Sequence, residues 1–189
     1  MNSIPILVVL FAGAGIICYV VTIFNGLIAI RSDVDKAWAN IDVSLKQRHD
    51  ELPKLLDVCK GYMEFERDTL QKVTQARNMY QPAGSIDQKA QADQSMTSAL
   101  RGFFAVAENY PDLKANSNFE QLEKRITGLE SEIADRREFY NDAVNTLNIR
   151  IQQMPDTFVA SFMNLTPRPM YKVEEADKVD VPMTFAAAH

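Results

Sequence analysis

Side chains able to do chemistry are sparse in this sequence, and their spacing matches few known sites. Its two histidines are His49 and the C-terminal His189. A carboxylate-bridged di-metal site in a helical bundle needs Glu-x-x-His on two helices, and neither copy is present. A histidine-based metal or general-base site therefore lacks parts. No glycine-rich phosphate loop, nucleophile elbow or paired-cysteine motif occurs. The expectation is a protein that is no enzyme, with no catalytic residue, no metal and no cofactor.

What remains are charged residues that fall among apolar ones. Arg48, Glu66 and Arg136 sit on otherwise apolar helical seams. Long side chains in such places reach past the core to solvent or form inter-helix ion pairs that set register. The alternative is a polar site inside the bundle that binds a small ligand or an ion. A second locus is His49-Asp50 beside Pro53, where a proline removes a helical hydrogen bond and a bend can offer a surface to a partner.

The elements that carry these residues follow from hydrophobic patterning. From Ile4 to Ile30 no side chain is charged, which is roughly 40 Å of helix and enough to cross a bilayer with some tilt. A secretory signal would have a basic start and a shorter apolar core, and this segment has neither. Cys18 lies within the run, preceded by Ile16 and Ile17, and reads as membrane-buried. Its separation from Cys59 leaves no disulfide or cysteine metal site. Arg31, Lys36, Lys46 and Arg48 follow the span while no Lys or Arg precedes it, which predicts the N-terminus outside and the domain in the cytoplasm. Asp33, Asp35, Asp42 and Asp50 share that window. All charge, net −5, lies beyond the span. There is no basic surplus of the kind that binds nucleic acid.

Beyond the span, positions 34, 38, 41, 45, 48, 52, 55, 59, 62, 66, 69, 73, 76 and 80 are apolar at all but Arg48, Glu66 and Thr69. That heptad spacing predicts one helix, bent near Pro53, reaching about Tyr80 and continuous with the span. Gln81-Pro82-Ala83-Gly84-Ser85 punctuates the chain, and Ser85 caps a second helix over 86–110. Pro111 ends it. Ser117 with Glu120 reads as the capping box of a third long helix that runs through Ile126, Ile133, Tyr140, Leu147 and Ile151 to Met154. Residues 156–163 form a short fourth helix.

The predicted fold is all-α, with a transmembrane segment over 1–30, an antiparallel helical bundle over 31–163 and an extended or disordered tail over 164–189. Such a chain suits a membrane-anchored scaffold or adaptor whose outer helical faces engage the bilayer, copies of itself or other membrane proteins.

The blocks Ala37-Trp38, Ile41-Asp42-Val43, Arg48-His49-Asp50, Leu52-Pro53, Lys60-Gly61-Tyr62, Ala76-Arg77-Asn78 and Tyr110-Pro111-Asp112-Leu113-Lys114-Ala115-Asn116 recur in order in another group of sequences. With Arg137 and Tyr140-Asn141, they make this chain resemble the bacterial LemA family over roughly 25–163. The resemblance implies a membrane-anchored antiparallel bundle in the bacterial envelope, in some cases linked to membrane proteases or organelle biogenesis. It supplies no catalytic residues. Glu51 and Lys54 depart from the family pattern around Leu52-Pro53, and the tail after Leu165 lies outside the resemblance.

Overall fold

The computed structural model describes residues 3–63, 66–80 and 84–172. These form six helices in chain order: α1 (Ser3–Cys59), α2 (Arg67–Tyr80), α3 (Ile86–Ala107), α4 (Pro111–Lys114), α5 (Ser117–Arg150) and α6 (Asp156–Phe162). Among the described residues there is no strand. The fold is all-helical, as expected.

α1 is one helix of 57 residues, about 85 Å long, with Pro53 inside it. From Ile4 to Thr22 almost every residue is exposed. From Ile23 onward a buried seam starts, through Leu27, Val34, Ile41, Leu45, Leu52, Leu55 and Cys59. The seam enters the apolar run by two turns, where uniform hydrophobicity hides any periodicity in the sequence.

α5 lies antiparallel along this seam. Proceeding up α1, the Arg150 guanidinium lies beside Gly26, the Trp38 and Tyr140 rings are 5.7 Å apart, Arg48 meets Glu130 at 3.1 Å and Glu51 meets Arg125 at 3.0 Å. Each step up α1 is matched by one down α5.

Helix one does not reach Tyr80. It ends at Cys59, whose carbonyl accepts from the N–H groups of Tyr62 and Met63, and Gly61 follows in the turn. α2 then packs along α3 instead. The heptad spacing continues across this turn because Val73 and Ala76 bury the same spacing against a different partner. A seam records that a face is covered and says nothing of what covers it.

Ser85 caps α3 as expected, its Oγ accepting from Gln88 N at 3.2 Å while Gln88 Oε1 accepts from Ser85 N. α5 differs by one residue. Its N-cap is Asn116, with extended φ/ψ and Oδ1 accepting from Asn118 N at 2.9 Å and Phe119 N at 3.3 Å, and Ser117 is the first helical residue. The short helix α4 shifts the entry, leaving Asn116 as the extended residue a cap requires. Replacing Asn116 with alanine is expected to cost about 1 kcal/mol, and Ser117→Ala only a small fraction of that, in parallel denaturation curves.

α5 stops at Arg150, short of Met154, because the residue before a proline avoids helical geometry and Pro155 follows. After a turn at Asn164, residues 165–172 carry no helix and pack back along α5. The rest of the predicted tail lies outside the described residues.

Candidate functional site

The core divides into two apolar clusters. One, at the end where the apolar helix leaves the bundle, contains Leu27, Val34, Leu45, Ala90, Ile133, Leu147 and Val159. The other, at the far end, contains Leu52, Cys59, Met96, Phe103, Leu113 and Ile126. Between them, in chain position on all three long elements, lies a charged layer: Arg48 between Leu45 and Leu52, Asp93 between Ala90 and Met96, and Glu130 between Ile126 and Ile133.

Asp93 is its centre. Its side chain is 0% exposed. Oδ1 accepts from Arg48, and Oδ2 accepts from both Arg137 and the Tyr171 hydroxyl. Arg48, almost as deeply buried, also donates to Thr97 Oγ1 and Glu130 Oε1, each at 3.1 Å. The Arg137 guanidinium lies 5.2 Å from the Tyr171 ring centroid. Two arginines and two carboxylates balance formally, so the layer carries no net charge into the core.

Burial, against the pull of Arg48, holds the Glu130 carboxyl above its usual range. Burial and then the Asp93 charge push the Tyr171 phenol well above its ordinary value, so it remains the donor.

A second cluster adjoins this layer. Lys89 pairs with Asp42, the Tyr80 hydroxyl donates to Asp42 at 3.2 Å, and Lys89 lies 5.7 Å from the Trp38 ring. Burial and the neighbouring Asp42 push Tyr80 up to about 12. Trp38 is thus half-buried against the bundle core, its ring centroid 6.3 Å from that of Tyr171.

The residues singled out from sequence are placed as follows. Arg48 is in the layer. Glu66 lies between α1 and α2 at the far end and accepts from the Tyr110 hydroxyl at 3.0 Å. Arg136 points outward, donating to the Asn40 carbonyl and to Glu132. These three do not meet. His49 turns inward, its ring 5.2 Å from Tyr80 and its Nε2 buried without a partner among the described groups. Asp50 is exposed and pairs with Lys46 at 2.7 Å, and Pro53 is half-buried.

Asp93, Glu130 and Arg137 were missed, though the rule that found Arg48 also reaches them. Asp93, Met96, Leu100, Phe103 and Ala107 form one seam on α3. On α5 the inward series is Ile126, Glu130, Ile133, Arg137, Tyr140, Val144 and Leu147, so the inward arginine is Arg137, one residue past Arg136. Tyr171 gave no signal, because proline-flanked polar sequence reads as tail.

The hollows beside the layer are small. One of about 10 Å³ is lined by Arg48, His49, Tyr80 and Asp93, and one of about 20 Å³ by Asp93, Thr97, Arg137 and Tyr171. Each is about the size of one water molecule. Among the described residues no three His, Cys, Asp or Glu side chains are grouped to hold a metal. The arrangement fastens α1, α3, α5 and the 165–172 segment to one another.

The fold defines an all-helical protein whose first helix is long and apolar enough at its N-terminal end to cross a membrane. The chain belongs to the LemA family, whose model matches residues 37–185. That match extends past Leu165 and corrects the expectation that the tail stands outside the family. Protein LemA of Metamycoplasma hominis is 30% identical over 162 residues, 83% of this chain and 72% of that protein. Two magnetosome proteins of Paramagnetospirillum magneticum, MamQ 1 and MamQ 2, are each 35% identical over 69 residues, 36% of this chain and 25% of their own length.

Proposed function

We propose that this chain is a non-enzymatic scaffold or adaptor, anchored in a bacterial inner membrane by α1 and presenting its bundle to copies of itself or to other membrane or envelope proteins. One observation carries the reading. The apolar stretch and the bundle's longest core element are the same helix, with no linker between them, so the bundle is held at a fixed height and angle to the bilayer. A tethered enzyme needs no such rigidity, whereas a surface that must meet other membrane proteins in register does. At Arg48 the ligand-sensor alternative draws no support from hollows the size of single waters.

The basic residues following the span support a cytoplasmic bundle. A reporter active on one side of the membrane tests this when fused after His189, leaving the buried Tyr171 undisturbed. Cytoplasmic signal is expected, and periplasmic signal would reverse the orientation while leaving the anchor intact. For the scaffold reading, photo-crosslinkers on the outer face, at Val43 and Phe139, should give discrete adducts in native membranes. A chain that is monomeric and free of adducts at both positions would overturn it.

A further inference from the structure

We propose that α6 is seated in the membrane surface, with Met154, Phe158 and Phe162 immersed at the boundary between lipid headgroups and acyl chains. This deepens the anchoring read above and rests on it.

The geometry that leads there starts at the end of α5. Arg150 lies beside Gly26 of α1, and the chain runs on through Ile151 to Met154 before α6 begins. α6 packs against α1, with Val159 and Ala160 in the same buried cluster as Ile23 and Leu27. After α6 the chain reverses, and Arg168 N donates to Asn148 Oδ1 as the extended segment climbs back along α5. α6 is therefore the turn that closes the bundle at the end from which the apolar helix emerges.

The level of the bilayer follows from α1. A hydrocarbon core of about 30 Å takes roughly 20 helical residues. Ile4–Thr22, the stretch of α1 exposed along its length, has about that extent, and burial by α5 and α6 begins at Ile23. α6 thus lies beside the first residues outside the slab.

Its chemistry suits that depth. Phe158 and Phe162 are spaced by four on α6 and share one face, exposed by 67% and 84%, and Met154 in the turn before the helix is exposed by 70%. On the opposite side Asp156, Val159 and Ala160 are buried. Between Ile151 and Pro167 the only charged residue is Asp156, and it is paired inward with Arg150. Exposed large apolar side chains on a cap without exposed charge are costly in water and favourable in the interface. Near this cap Arg150 pairs with Asp156 and Arg168 with Asp35, and Arg31 follows Leu27 by one turn on α1.

The test uses the full-length chain in lipid nanodiscs and a nitroxide on cysteine, read by collision with oxygen, which partitions into lipid, and with a water-soluble nickel chelate. Native Cys18 reports on the anchor. Phe162→Cys and Phe139→Cys, each with Cys18→Ala, report on α6 and on a site about 16 Å further up α5 that is 72% exposed. Cys59 is fully buried, out of reach of the label. Both introduced sites are exposed, so neither change touches the core.

The expected result is a label at 162 that is open to oxygen and shielded from nickel, with the reverse at 139. If Cys18 is in lipid and the 162 label is as accessible to nickel as the 139 label, the seating of α6 is overturned and the anchor stands. If the Cys18 label itself meets nickel freely, the anchor reading falls and this inference with it.

Discussion

Arg48→Met is expected to destabilise the bundle by about 3–5 kcal/mol, a large share of the total for a domain of this size. The substitution leaves the buried Asp93 and the half-buried Glu130 with one cation, Arg137, in place of two. Desolvating an unpaired carboxylate is the dominant cost, and packing a methionine in the vacated space recovers little of it.

Removing the layer as a unit should behave differently. A variant carrying Arg48→Met, Asp93→Leu, Glu130→Met, Arg137→Leu and Tyr171→Phe leaves no buried charge without a partner. It is expected to be more stable than Arg48→Met alone, because apolar replacement of a whole buried ion cluster is often neutral or favourable. What it should lose is register. The apolar clusters on either side repeat with the same heptad spacing, whereas a slip of α5 along α1 would mismatch the charged layer and the Glu51–Arg125 pair beside it. Denaturant midpoints give the first comparison and amide dispersion in nuclear magnetic resonance spectra the second. A single-variant cost below about 1 kcal/mol would mean the layer contributes no more than a surface pair.

This layer also shows where sequence reading reaches and where it stops. The long apolar helix, the break between Tyr80 and Ile86, the Ser85 cap, the boundary at Pro111 and the short helix after Pro155 are all local features, and they are legible because charge, proline and capping chemistry act within a few residues. The division of α1 from α2 is not local. Tyr62 occupies a seam position yet is exposed, while Met63, off the seam, is fully buried. Only the partner helix decides between them. Arg136 and Arg137 pose the same problem, since neighbouring arginines flank one seam and the side facing Asp93 depends on where α3 lies. Glu66 kept its place in the heptad count although the helix that defined the count had ended.

The segment after Leu165 is the element least visible in sequence and the one whose removal should cost most. Asn148 and Asn141 of α5 each grip it with both amide atoms. Asn148 donates to the Arg168 carbonyl at 2.9 Å and accepts from Arg168 N at 2.8 Å, and Asn141 does the same for Tyr171 at 3.1 and 2.7 Å. The two asparagines are seven residues apart on a helix, about 10.5 Å. The residues they hold are three apart on an extended chain, about 10 Å. That match lets one helix face hold a β-like strand without a sheet, and the Tyr140 hydroxyl adds a bond to the Pro169 carbonyl at 2.9 Å between the two grips. The strand's purpose in packing is Tyr171, which covers Trp38 and supplies one of the donors to Asp93.

A chain ending at Leu165 is therefore expected to lose at least the cost of deleting a buried aromatic, about 3–5 kcal/mol. A chain ending at Lys172 keeps both grips and the phenol, and should exceed the chain ending at Leu165 by that amount. Tyr171→Phe separates the two contributions, since it retains the ring and removes only the hydrogen bond, for an expected loss of about 1–3 kcal/mol. Equal stability of the chains ending at 165 and 172 would mean that Asp93 is satisfied without Tyr171. The two arginines would then fasten the layer alone.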